Sequence, residues 1–452
     1  MTPELDQRAE TSLPRGPRLT AHDAAVHALR EKRDAAGRAE PDFERLRDQA
    51  QAVKAHTLDQ LDVYLERFEA SAQAAGARVH FAADAAELRQ IVSGLLAAKG
   101  ARRVVKSKSM LTEECGLNEA LERAGIDVVD TDLGERIVQL AHEPPSHIIM
   151  PAIHQTRADI AALFERELGS APGDTDPGRL TAAARRDLRA RFLAADAAIT
   201  GANFAVAETG SLVIVTNEGN ADLGTSLPAL HIACLGIEKL VPGLAELAVF
   251  LRLLARSATG QRISAYTSLV TGPRRGAELH VVLVDNGRTR LLADPRHRSA
   301  LACIRCGACL NTCPVYRRAG GHAYGWALPG PIGSVLAPVL ARSAAAQGLP
   351  FASTLCGSCS AVCPVRINLH EQLVQWRSSD SLRGQGRLPG TRLGAALLAS
   401  PALYRAAGLA ARIGWPLLGR VLRPRLLRGW LSARELPEHP GPSFRARFGA
   451  RR

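Results

Sequence analysis

Apolar positions change period several times along the chain. Between Pro41 and Ala77, Leu58, Leu61, Leu65 and Phe68 recur at spacings of three and four with Asp, Glu and Arg between them, which predicts an amphipathic helix. From residue 78 to about 290, short runs rich in β-branched residues alternate with helical stretches. The runs are RVHFA (78–82), RRVVKSKS (102–109), IDVVDTD (126–132), SHIIMPAI (146–153), ADAAITGANFAVA (195–207), GSLVIVTN (210–217), ALHIACLGI (229–237) and ELHVVLVDN (278–286). The segments 83–99, 113–124, 155–168, 179–194 and 243–256 read as helices. Strand–helix alternation of this kind predicts an α/β domain with a largely parallel sheet. Turn-forming residues follow several strands at once, as in TGAN (200–203) and TNEGN (216–220). In open α/β sheets ligands sit beyond the carboxyl ends of the strands, so these loops are the domain's candidate site. Residues 1–40 are polar and punctuated by Pro14 and Pro17, and read as a loose leader with one or two short helices. The predicted organisation is a helical leader (1–77), an α/β domain (78–290), a cysteine-bearing module (291–380) and an Arg-rich C-terminal segment (381–452).

Length and composition narrow the class. A chain of 452 residues suits two or three domains, and 46% hydrophobic with 22% charged residues excludes global disorder. Aromatics at 4% argue against a protein that stacks single-stranded nucleic acid. The net charge is +13, yet residues 382–452 hold fourteen Arg, no Lys and only Glu435 and Glu438 as acids. The basic excess therefore belongs to one segment, which disfavours a protein-wide nucleic-acid surface. Its Arg positions keep no single helical face, and Pro416 and Pro424 are expected to interrupt any helix. Such a segment suits docking to a partner or to an anionic membrane surface. The N-terminus lacks the apolar stretch of a secretory signal, and no uncharged apolar run reaches the roughly 18–20 residues of a spanning helix. The expectation is a cytoplasmic protein, with peripheral contact at the inner face of the membrane as an option.

The cysteines carry the strongest chemistry. CIRCGACLNTCP supplies Cys303, Cys306, Cys309 and Cys313, followed by Pro314; CGSCSAVCP supplies Cys356, Cys359 and Cys363, followed by Pro364. The second run is the first shifted by 50 residues, with Ser353 where a counterpart of Cys303 would stand. The first spacing, C-x2-C-x2-C-x3-C-P, is that of bacterial ferredoxins, in which the fourth Cys serves the other cluster. This predicts a 4Fe–4S cluster held by Cys303, Cys306, Cys309 and Cys363, and a second held by Cys313, Cys356 and Cys359. The second is either 3Fe–4S, or 4Fe–4S with a non-Cys or exogenous ligand; Ser353, Cys234 and Cys115 are all open as the missing corner. Zinc sites close on four ligands drawn from paired elements, and seven cysteines divide badly into such sets. Arg305 and Arg366 lie beside the runs and either raise cluster potentials or are plain surface charge.

Beyond the ferredoxin spacing, the chain resembles the iron–sulfur subunits of bacterial lactate-utilization systems, the lactate utilization protein B family. The resemblance spans roughly residues 45–375. It rests on KSKSMLTEECGLNEAL (106–121), DTDLGERIVQL (130–140), EPPSHIIMPAIH (143–154), ITGANFAVAETGSLVIVTNEGNADL (199–223), GIEKLVP (236–242), SATGQRISAYTSLVTGPRR (257–275), ELHVVLVDNGR (278–288), the first cysteine run through Gly333, and LCGSCSAVCPVRINLHEQL (355–373). It implies a lactate-utilization α/β domain, like the sugar-phosphate isomerase and CoA-transferase group, followed by an α-helical two-cluster ferredoxin-type module. It implies oxidation of L-lactate to pyruvate, with this chain as the electron-carrying member. The implied partners are a cysteine-rich, heterodisulfide-reductase-like subunit and a second protein with the lactate-utilization domain. The three-Cys second run is usual in the family, and Cys115 reads as a small buried hydrophobe. Which subunit oxidises the substrate stays open, as do the electron acceptor and the catalytic residues.

Other groups remain. Lys106, Lys108, Glu113, Glu114, Asp132, His154, Asn203, Glu208, Glu218, Asn220 and Lys239 fall at predicted loop ends. They could bind a small carboxylate or move protons, or simply form turns. His231 and His280 sit in apolar strands and read as satisfied core histidines. In GGHAYGWALPGPIG (320–333), Tyr324 and Trp326 are expected to shield a cluster from water. The alternatives to lactate are another 2-hydroxy acid such as glycolate, or a redox-sensing scaffold without electron-transfer duty.

Overall fold

In the computed structural model, the described residues are Ser12, 16–341, 344–379, 391–421 and 444–449. Ten strands form two sheets: β1 (Arg78–Ala82), β2 (Arg103–Lys106), β3 (Asp127–Asp130), β4 (Ala197–Thr200), β5 (Phe204–Val206), β6 (Ser211–Thr216), β7 (Leu230–Gly236), β8 (Leu240–Val241), β9 (Tyr266–Val270) and β10 (Glu278–Val284). The larger sheet runs β1-β10-β7-β4-β2-β3 with every pairing parallel. The smaller runs β8-β5-β6-β9, with an antiparallel β5–β6 hairpin. The expected α/β domain with a parallel sheet is present.

The central strand β7 is buried at every position, as a parallel strand covered on both faces must be. Its side chains alternate between two cores. Ile232 and Cys234 pack with Leu88, Val92 and Leu96 of the helix Ala85–Ala98. Ala233 and Leu235 pack with Leu61 and Phe68 of the helix Leu61–Ala74 and with the smaller sheet.

Three expectations differ. SHIIMPAI is not a strand but a loop: Ile149 N and Met150 N donate to His147 Nδ1 (3.0 and 3.1 Å), and Ser146 N donates to Pro151 O (2.9 Å). Its backbone is satisfied locally, while Ile148 and Ile153 join the core under the cysteines. The run 195–207 splits at Gly201-Ala202-Asn203 into β4 and β5, which belong to different sheets. The leader contains a continuous 23-residue helix, Gly16–Arg38, rather than short pieces. Its Val26 and Leu29, with Phe43, Leu46 and Ala50 of the helix Phe43–Asp59, enter the core that also holds Cys306, Cys309, Cys313, Cys359 and Cys363.

Residues 1–385 form one compact unit and 386–452 a second. In the second, the helix Pro401–Val421 continues through Pro416, where a break was expected. A proline removes one N–H and can be carried as a kink. Pro424 lies outside the described residues. No single described helix is long and apolar enough to cross a membrane; Leu393–Ala399 with Pro401–Gly414, bent by 110°, meets that test only as a pair.

Candidate metal centre

The 50-residue repeat of sequence is also a repeat of backbone. Arg305 and Leu355 are both left-handed (φ 60° and 55°), as are Gly307 and Gly357 (φ 73° and 78°). A short helix follows each, Ala308–Asn311 and Ser358–Val362. Cys313 and Cys363 then turn extended (ψ 119° and 120°), as residues before proline prefer. A non-glycine residue in the left-handed region costs about 1–2 kcal/mol, so Arg305 and Leu355 need their surroundings to hold them. Turns of this kind aim successive N–H groups into a concavity that suits anions and iron–sulfur centres.

All nine cysteines are free thiols; five of the seven in the runs are buried, Cys303 is half-buried and Cys356 exposed. Burial pushes the Cys306 thiol up to about 12, and Cys303 and Cys363 act on it at close range. Cys309 is raised further by burial, and feels Cys303, Cys306, Cys359 and Cys363. Cys359, pushed up by burial to about 11, feels Cys313 and Cys356. The chain thus carries Cys363 back to the first run and brings Cys313 to the second. Backbone N–H groups point at three of the sulfurs: Arg305 N at Cys303 Sγ (3.4 Å), Tyr316 N at Cys313 Sγ (3.5 Å) and Ile367 N at Cys363 Sγ (3.3 Å). Such bonds stabilise thiolate over thiol and tune cluster potential. Among the described residues, no three His, Cys, Asp or Glu side chains gather round a point fit for a single ion. A cubane places its thiolates on separate irons rather than on one ion. The donor set, the concavities and the N–H···S bonds together fit iron–sulfur clusters.

Cys115 and Cys234 pack in the α/β core beside the helix Ala85–Ala98, in a different cluster of side chains from Cys313 and Cys359. Ser353 Oγ accepts a hydrogen bond from Leu355 N at 3.1 Å, at the start of the second run. Arg366 pairs with Glu44 (3.0 Å) and Asp48 on the helix Phe43–Asp59. Tyr324 is buried with its hydroxyl beside the Cys313 sulfur, and Trp326 packs at the edge of the same core. His322 donates to Pro144 O (2.8 Å). His231 is paired with Thr200 Oγ1 (2.7 Å) and His280 with His80 (2.9 Å), as core histidines should be.

Residue-by-residue reading missed the housing of the runs. Buried Arg47 donates to Ala361 O (2.6 Å) and to Cys363 O (3.1 and 2.9 Å), and Arg33 donates to Val362 O (2.9 Å). Two helices of the leader therefore clamp the Cys-Pro turn of the second run. His147 donates through Nε2 to Asn311 Oδ1 (3.0 Å), tying the 146–150 loop to the first run. No local signal marks these contacts; only the match of Arg to free carbonyls at a helix end could have suggested them.

Beside the first run lies a cavity of about 330 Å³, at the carboxyl ends of β2, β4 and β7. Lys108, Glu114, Asp132, Asn203, Glu218, Asn220 and Lys239 of the loop-end candidates line it, together with Arg305 of the first run. Lys108 is held by Asp132 (3.2 Å) and Ile149 O (2.8 Å). Arg288 bridges Glu114 (3.0 Å) and Glu238 (2.6 Å). Burial would raise Glu238, but Arg288, Lys239 and Arg305 hold its carboxyl down to about 2. Below the cavity, fully buried Lys106 sits 2.7 Å from Asp130 and 3.0 Å from Glu113. Glu135, also at its side, has neither carboxyl oxygen hydrogen-bonded, and burial raises its pKa well above the usual range. His154 pairs with Glu143 (2.7 Å) and Glu208 caps Leu244 N (3.1 Å), both away from the cavity lining.

An α/β domain with a parallel sheet, joined to a ferredoxin-type module with two cysteine loops, defines an iron–sulfur protein. A family model described as the LUD domain matches residues 65–291, and one described as a 4Fe-4S dicluster domain matches 299–367. The chain belongs to the lactate utilization protein B family. It is similar to lactate utilization protein B of Shouchella clausii, 41% identical with 99% of this chain and 97% of the relative covered. It is 47% identical to lactate utilization protein B of Macrococcus caseolyticus, covering 74% of this chain and 71% of that one. It is also 42% identical to an uncharacterized electron transport protein, YkgF, of Escherichia coli, covering 90% and 88%.

Proposed function

We propose that this chain is the electron-carrying iron–sulfur subunit of a complex that oxidises L-lactate to pyruvate. The duplicated cysteine loop, Arg305-Cys306-Gly307 repeated as Leu355-Cys356-Gly357, is the observation that supports it most. The identity to lactate utilization protein B from two bacteria supports lactate as the substrate. In this reading Cys303, Cys306, Cys309 and Cys363 hold a 4Fe–4S cluster. Cys313, Cys356 and Cys359 hold a second, 4Fe–4S or 3Fe–4S, with Cys356 exposed on its outer side. Bound clusters of this kind each take up or release one electron, which divides a two-electron oxidation into single steps. The chain's own residues keep the centres dry: Tyr324 is buried beside Cys313, Trp326 packs at the edge of the same core, and the Arg47 clamp fixes Cys363. The N–H groups of Arg305, Tyr316 and Ile367 hold sulfur as thiolate.

The partners are a cysteine-rich, heterodisulfide-reductase-like subunit and a second lactate-utilization-domain protein. The test combines the anaerobically isolated chain with these two and follows cluster reduction by electron paramagnetic resonance. L-lactate is expected to generate the reduced signal. Reduction by glycolate instead would move the substrate to another 2-hydroxy acid, and no reduction by either would leave a redox-sensing scaffold. Deleting the chain should abolish growth on lactate and spare growth on glycolate.

A further inference from the structure

The cavity at the carboxyl ends of β2, β4 and β7 has the volume of a small-molecule site, at about 330 Å³. Its ionisable groups fall into two sets. Lys108 is matched by Asp132, and Arg288 by Glu114 and Glu238. Glu218 accepts a hydrogen bond from Leu133 N (3.1 Å), and burial with Asp132 beside it raises its pKa. Two cations, Lys239 and Arg305, are held more loosely, with Glu238 the acid nearest both. Lys239 is half-buried in the wall; it feels the Glu238 carboxylate, but its ammonium makes no hydrogen bond or close ion pair with any described residue. Arg305 approaches Glu238 only at 3.6 Å through Nη2, and its Nη1 is buried with no partner among the described residues. Donors left like this inside a protein cost free energy unless something accepts their hydrogen bonds. A small carboxylate does so with two oxygens, and an Arg fork with a neighbouring ammonium is suited to holding one.

We propose that this cavity binds a small 2-hydroxy or 2-oxo carboxylate, its carboxyl group held by Lys239 and Arg305. The carboxylate class follows from the cavity's size, the Lys239 ammonium and the unpartnered Arg305 Nη1; only the choice of a 2-hydroxy or 2-oxo acid rests on the function proposed above. Arg305 stands between Cys303 and Cys306, so a bound acid would lie against the first cysteine run. The α/β domain then does more than carry the module: its strand ends form one wall of a ligand site, and the module's own loop forms the other. This is the position that open parallel sheets reserve for ligands.

The test is calorimetric titration of the anaerobically isolated, cluster-loaded chain, without partners, with L-lactate, pyruvate and inorganic phosphate. One saturable site for pyruvate or L-lactate is expected. Lys239→Met should weaken it tenfold or more, and Lys239→Arg should keep it within about threefold, since the charge and donors persist. Iron content is measured on each variant. A second measurement needs no variant: pyruvate should slow amide exchange at 107–109 and 236–239 in the wild-type protein. No heat and no protection up to about 10 mM acid, a binding energy under about 3 kcal/mol, would overturn the proposal. So would binding unchanged in an iron-replete Lys239→Met, or phosphate binding in preference to both acids. A lower cluster potential in Lys239→Met with no acid binding would also overturn it, making Lys239 a counter-charge to the cysteines. Binding without lactate-dependent reduction would sink the proposed function and leave the site standing; reduction without binding would do the reverse.

Discussion

The parallel sheet and the cysteine module are built on opposite terms. In the sheet, β4 and β7 are buried at every position, and their apolar side chains supply their own reason to be ordered. In the module, the helices inside or after the cysteine runs, Ala308–Asn311, Pro314–Ala319 and Ser358–Val362, are four, six and five residues long. Helices so short are not stable alone. Their order comes from outside: from the helices Gly16–Arg38 and Phe43–Asp59, from the 146–150 loop and, when bound, from metal. The strands are thus held by burial alone, whereas the cysteine loops, though they share an apolar core with the leader, also need polar clamps and ligation.

That contrast can be broken experimentally, and anaerobic iron chelation should strain it most. Amides at 303–313 and 356–367 should lose protection from hydrogen exchange while those of β4 and β7 keep theirs. Joint loss would show that the two halves form one cooperative unit. Next in size is the buried charge at the ends of β2 and β3. Lys106→Met strands Asp130 and Glu113 without a cation and should cost about 3–5 kcal/mol in urea unfolding, with iron retained. On the module's side, Arg47→Ala removes the donor from Ala361 O and Cys363 O and should cost about 2–3 kcal/mol. Its exchange effect should be confined to 356–367. A further effect, spread over two side chains, is a pH dependence shared by both halves. Burial depresses His147 in the module's clamp and His231 in the sheet to about 4, from 6.5. Between those values the unfolded chain binds more protons than the folded one. Their stabilisation is therefore full above pH 6.5 and is lost as pH falls towards 4, by at most about 3 kcal/mol for each. His147→Gln should flatten part of that limb in denaturation measured at pH 4.5 and 7.

The same contrast decides what could be read in advance. β4, β7 and β10 were legible because a buried parallel strand is a run of apolar residues, and β1, an edge strand with Arg78 and Phe81 exposed, was legible from its place in the strand–helix alternation. β8 and β9 were not: Leu240–Val241 is two residues long, and Tyr266–Val270 is an edge strand with exposed positions at Tyr266 and Leu269. SHIIMPAI misled because an apolar run is compatible with a buried loop when a side chain such as His147 serves the backbone. The cysteine repeat announced its own pairing of runs, since the same spacing recurs after 50 residues. Arg47 and Arg305 were opaque in different ways. Arg47 reaches carbonyls more than 300 positions along the chain, which no local pattern encodes. Arg305 looked like a charge beside a cluster, whereas it also lines a cavity whose other wall is strand ends from the α/β domain.

The central claim is that seven cysteines in two related loops cage iron and sulfide. It is tested most directly by iron and acid-labile sulfide analysis of the anaerobically isolated chain, alongside its Cys309→Ser and Cys115→Ser variants. About seven or eight irons per chain are expected in the wild type. Cys309→Ser should lose about half of them, and Cys115→Ser, in the α/β core, should lose none. A colourless wild-type protein without sulfide, or one whose iron depends on Cys115, would contradict the account.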